Sequence, residues 1–138
     1  RNPFSAYADT KKRAVPLALP HYMTGWMTSQ YFAKLYEAQF PGRFFVVRFE
    51  DIVKNPRTAL KPVLTALRVK DSDTLTYPSW KGTQLTEVYP WGTVRTPTEK
   101  ANIETAKELS KQEVEEIYIR TKSVFDIFDY EEIYRKIR

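Results

Sequence analysis

The sequence predicts an α/β fold that is mostly helical with one or two buried strands, and two observations carry this prediction. A helical segment, a short apolar strand and a second helical segment follow one another between residues 23 and 67. The strand is a continuous apolar run, which is typical of strands buried on both faces of a parallel sheet. One strand cannot form a sheet alone, so we expect its partner strands to precede Arg1.

The elements are predicted in order from capping residues and apolar spacing. A first helix is compatible with residues 4–9, after Pro3. The second covers Met23 to Phe40 and stops at Pro41-Gly42. Arg43 to Phe49 is the strand. One helical face collects the apolar side chains Met27, Tyr31, Leu35 and Ala38.

The next helix has a clear start and an interruption. Asn55 is an N-cap residue and Pro56 occupies the first helical position. Pro62 lies inside the apolar stripe and is expected to kink or shorten the helix. That stripe consists of Ala59, Leu60, Val63, Leu64 and Leu67.

A long irregular loop is expected from Lys70 to Thr98, because turn-forming residues interrupt every period there, although short strands could be hidden in it. Ser110 and Glu113 then form a capping box, with Leu109 and Val114 at hydrophobic-staple spacing. A last short helix is expected from Tyr130 to Ile137.

Composition limits the class of protein. The 138 residues suit one domain, and 42% hydrophobic with 28% charged residues is a globular balance. The net charge of +5 suits an anionic ligand, but the longest like-charge run is three residues, so nucleic-acid binding is not expected. No apolar stretch is long enough to span a membrane. The absence of Cys leaves the compartment open, and we expect a cytoplasmic location.

Several kinds of site are missing from the sequence. The four glycines form neither a phosphate-binding loop of the G-x-x-x-x-G-K-[ST] type nor a G-x-G-x-x-G motif. His21 is the single histidine, so neither a Ser-His-Asp triad nor a His-rich metal site is predicted. The pairs of adjacent carboxylates after residue 114 are expected to be solvated helix faces.

The opening Arg1-Asn2-Pro3 is the strongest candidate for ligand binding. An arginine just ahead of a proline-initiated helix lies where backbone N–H groups and the helix dipole favour an anion. Its guanidinium adds planar, charge-assisted hydrogen bonds suited to phosphate. The chain opens with neither Met nor a signal-like segment, and we expect it to be cut from a larger protein.

The order of the blocks resembles the sulfotransferases that use 3′-phosphoadenosine-5′-phosphosulfate (PAPS). Arg1-Asn2-Pro3 and its helix are followed by the aromatic helix, the block from Phe44 to Asp51, Asn55-Pro56, the irregular loop and the Leu109-Ser110 helix start. The resemblance covers nearly all of the chain. It implies that residues 1–138 are the C-terminal part of a single P-loop-like parallel α/β domain, a nucleotide-binding transferase.

The resemblance carries the family's cofactor contacts onto particular residues. Arg1 matches the arginine that binds the 3′-phosphate of PAPS. Asp9 stands where the family usually has a serine for the same phosphate, and a carboxylate there would repel it. Either Ser5 or Thr10 supplies the hydroxyl instead, or the helix start is one residue shorter than usual, or the contact is lost.

Further matches to the family rest on the place of a residue in the chain rather than on a shared motif. Glu50-Asp51 corresponds to the family's acidic pair, and we expect it to cap the following turn rather than to bind a ligand. Arg95 stands where the family's distal loop carries basic contacts, with Lys81-Gly82 and Lys100 as alternatives. Four loop aromatics either stack on the adenine or an acceptor sugar, or fold inward as a satellite core: Tyr77, Trp80, Tyr89 and Trp91.

The implied activity is in-line transfer of a sulfuryl group from PAPS to a hydroxyl or amine of a small-molecule or carbohydrate acceptor, leaving 3′,5′-ADP. The lysine and the base that act on the transferring group lie, in the family, ahead of the arginine. The upstream half of the same protein is therefore an expected partner, no catalytic residue is assigned here, and the chain alone is expected to be inactive.

Three alternatives stay open from the sequence. The chain could be part of a P-loop kinase, which would need Mg²⁺. It could be a non-catalytic binding or assembly module that keeps sulfotransferase-like helices, and would then lack affinity for 3′,5′-ADP. It could be a basic nucleic-acid module, whose binding would depend steeply on salt.

Overall fold

Eight α-helices and four two-residue strands make up the chain in the computed structural model, which describes residues 1–15, 17–85, 88–89, 92–93 and 98–138. For residues 88–89 and 92–93 the description covers the backbone alone. The helices are α1 (Pro3–Lys11), α2 (Leu19–Gln39), α3 (Phe49–Lys54), α4 (Pro56–Leu67), α5 (Glu99–Ala106), α6 (Lys111–Thr121), α7 (Phe125–Phe128) and α8 (Glu131–Ile137). Single 3₁₀ turns occupy Asp73–Thr76 and Lys122–Val124.

The strands form two small antiparallel hairpins. Strand β1 (Ser79–Trp80) pairs with β2 (Thr83–Gln84), and β3 (Val88–Tyr89) pairs with β4 (Gly92–Thr93). Lys81 and Gly82 link the first pair with φ angles of 49° and 83°, which are the two positive φ angles that a type I′ hairpin turn needs. The predicted irregular loop therefore contains short strands.

The predicted buried strand from Arg43 to Phe49 is not formed. Residues 44–48 belong to neither a helix nor a strand, and Phe49 already begins α3. A strand needs a neighbour to pair with, and among the described residues both sheets are the antiparallel hairpins. The chain is thus mostly helical, and its described part shows no parallel sheet.

Local capping signals predicted several helix starts correctly. The Asn55 side chain accepts a hydrogen bond from the Thr58 N–H and caps α4, whose first residue is Pro56. Ser110 and Glu113 form both hydrogen bonds of the capping box at α6. Helix α4 continues through Pro62 to Leu67, so the proline does not shorten it.

The core lies between helices α1 and α2 and the last four helices, α5 to α8. Phe125 sits at its centre, with ring centroids 5.9 Å from Phe4, 5.4 Å from Tyr118 and 6.1 Å from Tyr130. The remaining buried apolar residues come from α1, the first two turns of α2, and residues 106–134. None of the helices in the described ranges is both long and apolar enough to cross a membrane.

Candidate functional site

Arg1 is fixed by three neighbours at the start of α1. Its Nε donates to Asn102 Oδ1 at 2.9 Å, and its NH1 forms an ion pair with Asp9 Oδ2. The guanidinium carbon lies 5.5 Å from the centroid of the Phe49 ring. The backbone carbonyl of the same residue accepts a hydrogen bond from Trp26 Nε1 at 3.2 Å. The arginine is therefore oriented, while its side chain keeps 29% of its surface exposed.

The side chains of Asn2 and Ser5 form the capped first turn of α1, directly after Arg1. Asn2 Oδ1 accepts from the Ser5 N–H at 2.9 Å, which makes Asn2 the N-cap residue. The Ser5 hydroxyl donates to the backbone carbonyl of Asn102 at 2.7 Å and accepts from Asn2 Nδ2 at 3.0 Å. Asn2 and Ser5 are fully buried. Ser5 thus holds α1 against α5, while Asn2 joins the start of α1 to Glu50 of α3.

Glu50 is the central acceptor of this network. Its Oε1 accepts from the Asn2 N–H at 2.8 Å, from Asn2 Nδ2 at 2.7 Å and from Asn102 Nδ2 at 3.2 Å. The second oxygen, Oε2, is buried without a hydrogen-bond partner. This carboxylate also lies near the N-terminus of α1, where the helix dipole favours negative charge.

Two opposing effects act on the pKa of Glu50. Burial would raise it, but the hydrogen bonds from the backbone and side chain of Asn2 favour the charged form, and the net result is a pKa below its usual value of 4.5. Glu50 is therefore ionised near neutral pH. Its contacts join α3 to α1 and α5, so Glu50 holds these helices together rather than capping the following turn as expected.

The neighbouring Arg48 anchors the same segment to the core. Its guanidinium carbon lies 5.4 Å from the centroid of the buried Tyr130 ring. Its NH1 is 3.6 Å from Asp129 Oδ2, and its Nε is 3.4 Å from Asp51 Oδ2. These contacts fix the backbone where α3 begins, and with it the position of Glu50.

The structure brings together three of the four residues assigned from the sequence. Arg1 directly precedes the N-cap of α1, Ser5 and Asp9 lie on that helix, and Asp9 contacts Arg1 directly. Arg95 lies outside the described residues. Thr10, the alternative hydroxyl, is buried and donates to the Ala6 carbonyl at 3.0 Å.

The other candidates lie elsewhere. Lys81 belongs to the hairpin turn, and Lys100 is an exposed residue in the first turn of α5. Among the loop aromatics, Trp80 has 69% of its surface exposed, so it does not fold into a satellite core. Trp91 and the side chain of Tyr89 are outside the described residues, and Tyr77 is half-buried.

Sequence reasoning missed Asn102 and Phe49 as members of the site. Asn102 is 101 positions from Arg1, and helix α5, which begins directly after the predicted loop, was not predicted. Its start does carry a usable signal, because Thr98 accepts from the Ala101 N–H at 3.1 Å as an N-cap, with Glu99 in the first turn. No such local signal exists for the contact between Arg1 and Asn102.

The site's chemistry is that of an oriented cation beside a buried polar network. Arg1 offers N–H groups to an anion, whereas the hydroxyl of Ser5 is engaged inside the protein. Within the described ranges no group of three or more His, Cys, Asp and Glu side chains is placed to hold a metal ion. Comparison of the chain with protein-family models, curated proteins and solved structures gives no match.

Proposed function

We propose that this chain belongs to a PAPS-dependent sulfotransferase and binds the 3′-phosphate of the cofactor through Arg1. The observation that carries the proposal is the placement of Arg1 immediately before the α1 N-cap, with a partly exposed guanidinium already held by Asn102 and Phe49. The order of sequence blocks that resembles the family supports the same assignment.

Arg1 is suited to this role because its guanidinium is already oriented when no ligand is bound. A guanidinium that is oriented beforehand loses little side-chain freedom when it binds phosphate, so more of each hydrogen bond appears as affinity. The buried network of Asn2, Ser5, Asn102 and Glu50 supplies this orientation. The residues of this chain would therefore bind and orient the cofactor, and PAPS would supply the sulfuryl group.

Binding of 3′,5′-ADP to the full-length protein tests the proposal by isothermal titration calorimetry. A charge-assisted hydrogen bond to phosphate contributes roughly 1.5–3 kcal/mol, so Arg1→Ala should weaken binding about ten- to a hundredfold. The loss should be much smaller with 5′-AMP, which lacks the 3′-phosphate. The matched control is Arg135→Ala, since the Arg135 side chain is 76% exposed on α8.

Three results would argue against the assignment. Absence of any 3′,5′-ADP binding by the intact protein would favour a non-catalytic module. A strict requirement for Mg²⁺ would favour a kinase. Equal losses with 3′,5′-ADP and 5′-AMP, accompanied by a lower unfolding temperature, would mean that Arg1 acts on folding rather than on the phosphate.

A further inference from the structure

Asp9 pairs with one of the donor groups of Arg1 that an incoming anion would use. Of the three groups that hold the guanidinium, Asn102 is buried and Phe49 is half-buried, whereas the Asp9 side chain is 44% exposed. The Nε edge is bonded to Asn102 and one face lies against Phe49. An anion that binds the remaining donors of the guanidinium therefore comes close to the Asp9 carboxylate on NH1.

We propose that Asp9 competes with phosphate for Arg1 and so sets the affinity of this site for anionic ligands, an inference that rests on the proposed function. A carboxylate is acceptor-only when ionised and cannot donate a hydrogen bond to phosphate. If it stayed beside Arg1 in the complex, two like charges would share one guanidinium, which is unfavourable. Phosphate binding thus requires the carboxylate to move away from Arg1.

The structure offers Asp9 a second partner. Lys12, the C-cap residue of α1, places its Nζ 4.0 Å from Asp9 Oδ1. The same ammonium already lies 2.8 Å from Glu108 Oε2, two residues beyond the end of α5. Residues three apart on a helix face one another, and Asp9 already lies near both cations, so a rotation of its side chain can shift the carboxylate from Arg1 towards Lys12. Asp9 therefore has two cationic partners, and the ligand selects between them.

The test compares the affinity for 3′,5′-ADP of the full-length wild-type protein and two variants, Asp9→Asn and Asp9→Ser. Both substitutions remove the competing charge, and each leaves a group that can donate a hydrogen bond. We expect binding to tighten roughly tenfold in each variant, the scale of removing one neighbouring like charge. This gain in affinity should shrink at high salt, and it should vanish when 5′-AMP replaces 3′,5′-ADP. Asp126→Asn, an exposed carboxylate on α7, is the matched control.

A second variant tests the alternative partner. Lys12→Ala should weaken 3′,5′-ADP binding in the wild-type background, because Asp9 then stays on Arg1. It should have a much smaller effect in the Asp9→Asn background, where no carboxylate has to be relocated. Equal losses in both backgrounds would show that Lys12 attracts the ligand directly and would remove it from the exchange.

The outcomes separate this inference from the proposed function. If wild type binds 3′,5′-ADP but Asp9→Asn and Asp9→Ser bind it equally or more weakly, Asp9 positions Arg1 and the competition is refuted, while the phosphate site stands. If neither wild type nor either variant binds, with circular dichroism showing folded protein, both proposals fail together. Tighter binding by both variants supports both.

Discussion

The two ends of the chain bury their apolar side chains, whereas the middle of the chain exposes them. The buried core draws on residues 4–26 and 106–134. From residue 27 to residue 85 every residue is at least partly exposed, although this segment contains α3, α4 and most of α2. Its exposed aromatic side chains contact one another. The ring centroid of Tyr36 lies 5.9 Å from that of Phe32, 6.1 Å from that of Phe40 and 5.7 Å from that of Phe44.

This difference shows that apolar spacing predicts a helix face but not what covers it. The face containing Tyr31 and Leu35 was predicted from its period, and α2 forms there, yet the two side chains keep 51% and 46% of their surface exposed. The Arg1 site belongs to the buried ends, because α1, α5 and the start of α2 all pack into the core. Only Phe49 and Glu50 enter the site from the middle segment.

The largest expected effect contrasts two phenylalanines. Phe125 is 2% exposed at the centre of the core, whereas Phe32 is 49% exposed on α2. Phe125→Ala should lower the free energy of unfolding by about 3–5 kcal/mol, because it leaves a cavity among other rings. Phe32→Ala should cost about 1 kcal/mol or less. Urea denaturation of the full-length protein measures both, and similar losses would show that the middle segment is as well packed as the ends.

Local signals explain which parts of the fold were predictable. Asn55 with Pro56, and Ser110 with Glu113, define helix starts within four residues, and both starts are confirmed. The strand predicted at residues 43–49 does not form among the described residues, because strand formation depends on a partner that the local sequence does not specify. The assignment of Arg1 to an anion site came from its place before Pro3, and it stays a prediction.

The polar network of the site was beyond sequence reasoning for a similar reason. Glu50 accepts from Asn2 at a separation of 48 residues and from Asn102 at 52. Each residue type is common on protein surfaces, and only the tertiary packing of α1 and α5 against α3 buries them together. Glu50 was expected to cap the following turn, whereas its observed partners are the cap of α1 and a residue of α5.

The second prediction tests whether Glu50 connects the middle segment to the ends. Glu50→Gln should destabilise the protein by about 1–3 kcal/mol, since the new amide N–H groups would occupy the position of the buried, unpartnered Oε2. Glu104→Gln, which breaks an exposed ion pair with Lys107, is the matched control and should cost less than about 1 kcal/mol. A loss no larger than the control's would mean that the network around Asn2 does not depend on this carboxylate.

The pH dependence of stability provides an independent measurement on Glu50. Its pKa is lower in the folded protein than its usual value, so the ionised form stabilises the fold above the pKa of the unfolded chain, near 4.5. This contribution is lost as the pH falls through the lower, folded pKa. Urea midpoints between pH 6 and pH 3 should therefore fall more steeply for wild type than for Glu50→Gln, and parallel curves would contradict the lowered pKa.

The smallest expected effect is at Leu35, and it sharpens the contrast between the two regions. Leu35→Gln exchanges two residues of similar helix propensity on the exposed face of α2, so the free energy of unfolding should change by no more than about 0.5 kcal/mol. The same exchange at Leu109, which is 8% exposed in the core, should cost several times more. Because Leu35 contributes to an exposed aromatic and aliphatic surface, Leu35→Gln should also reduce binding of a hydrophobic dye to the native protein. If Leu35→Gln instead destabilises the full-length protein as strongly as Leu109→Gln, with dye binding unchanged, then this face of α2 is covered in the intact molecule. The middle segment would in that case belong to a packed interior, and its apolar spacing would have the same cause as that of the ends.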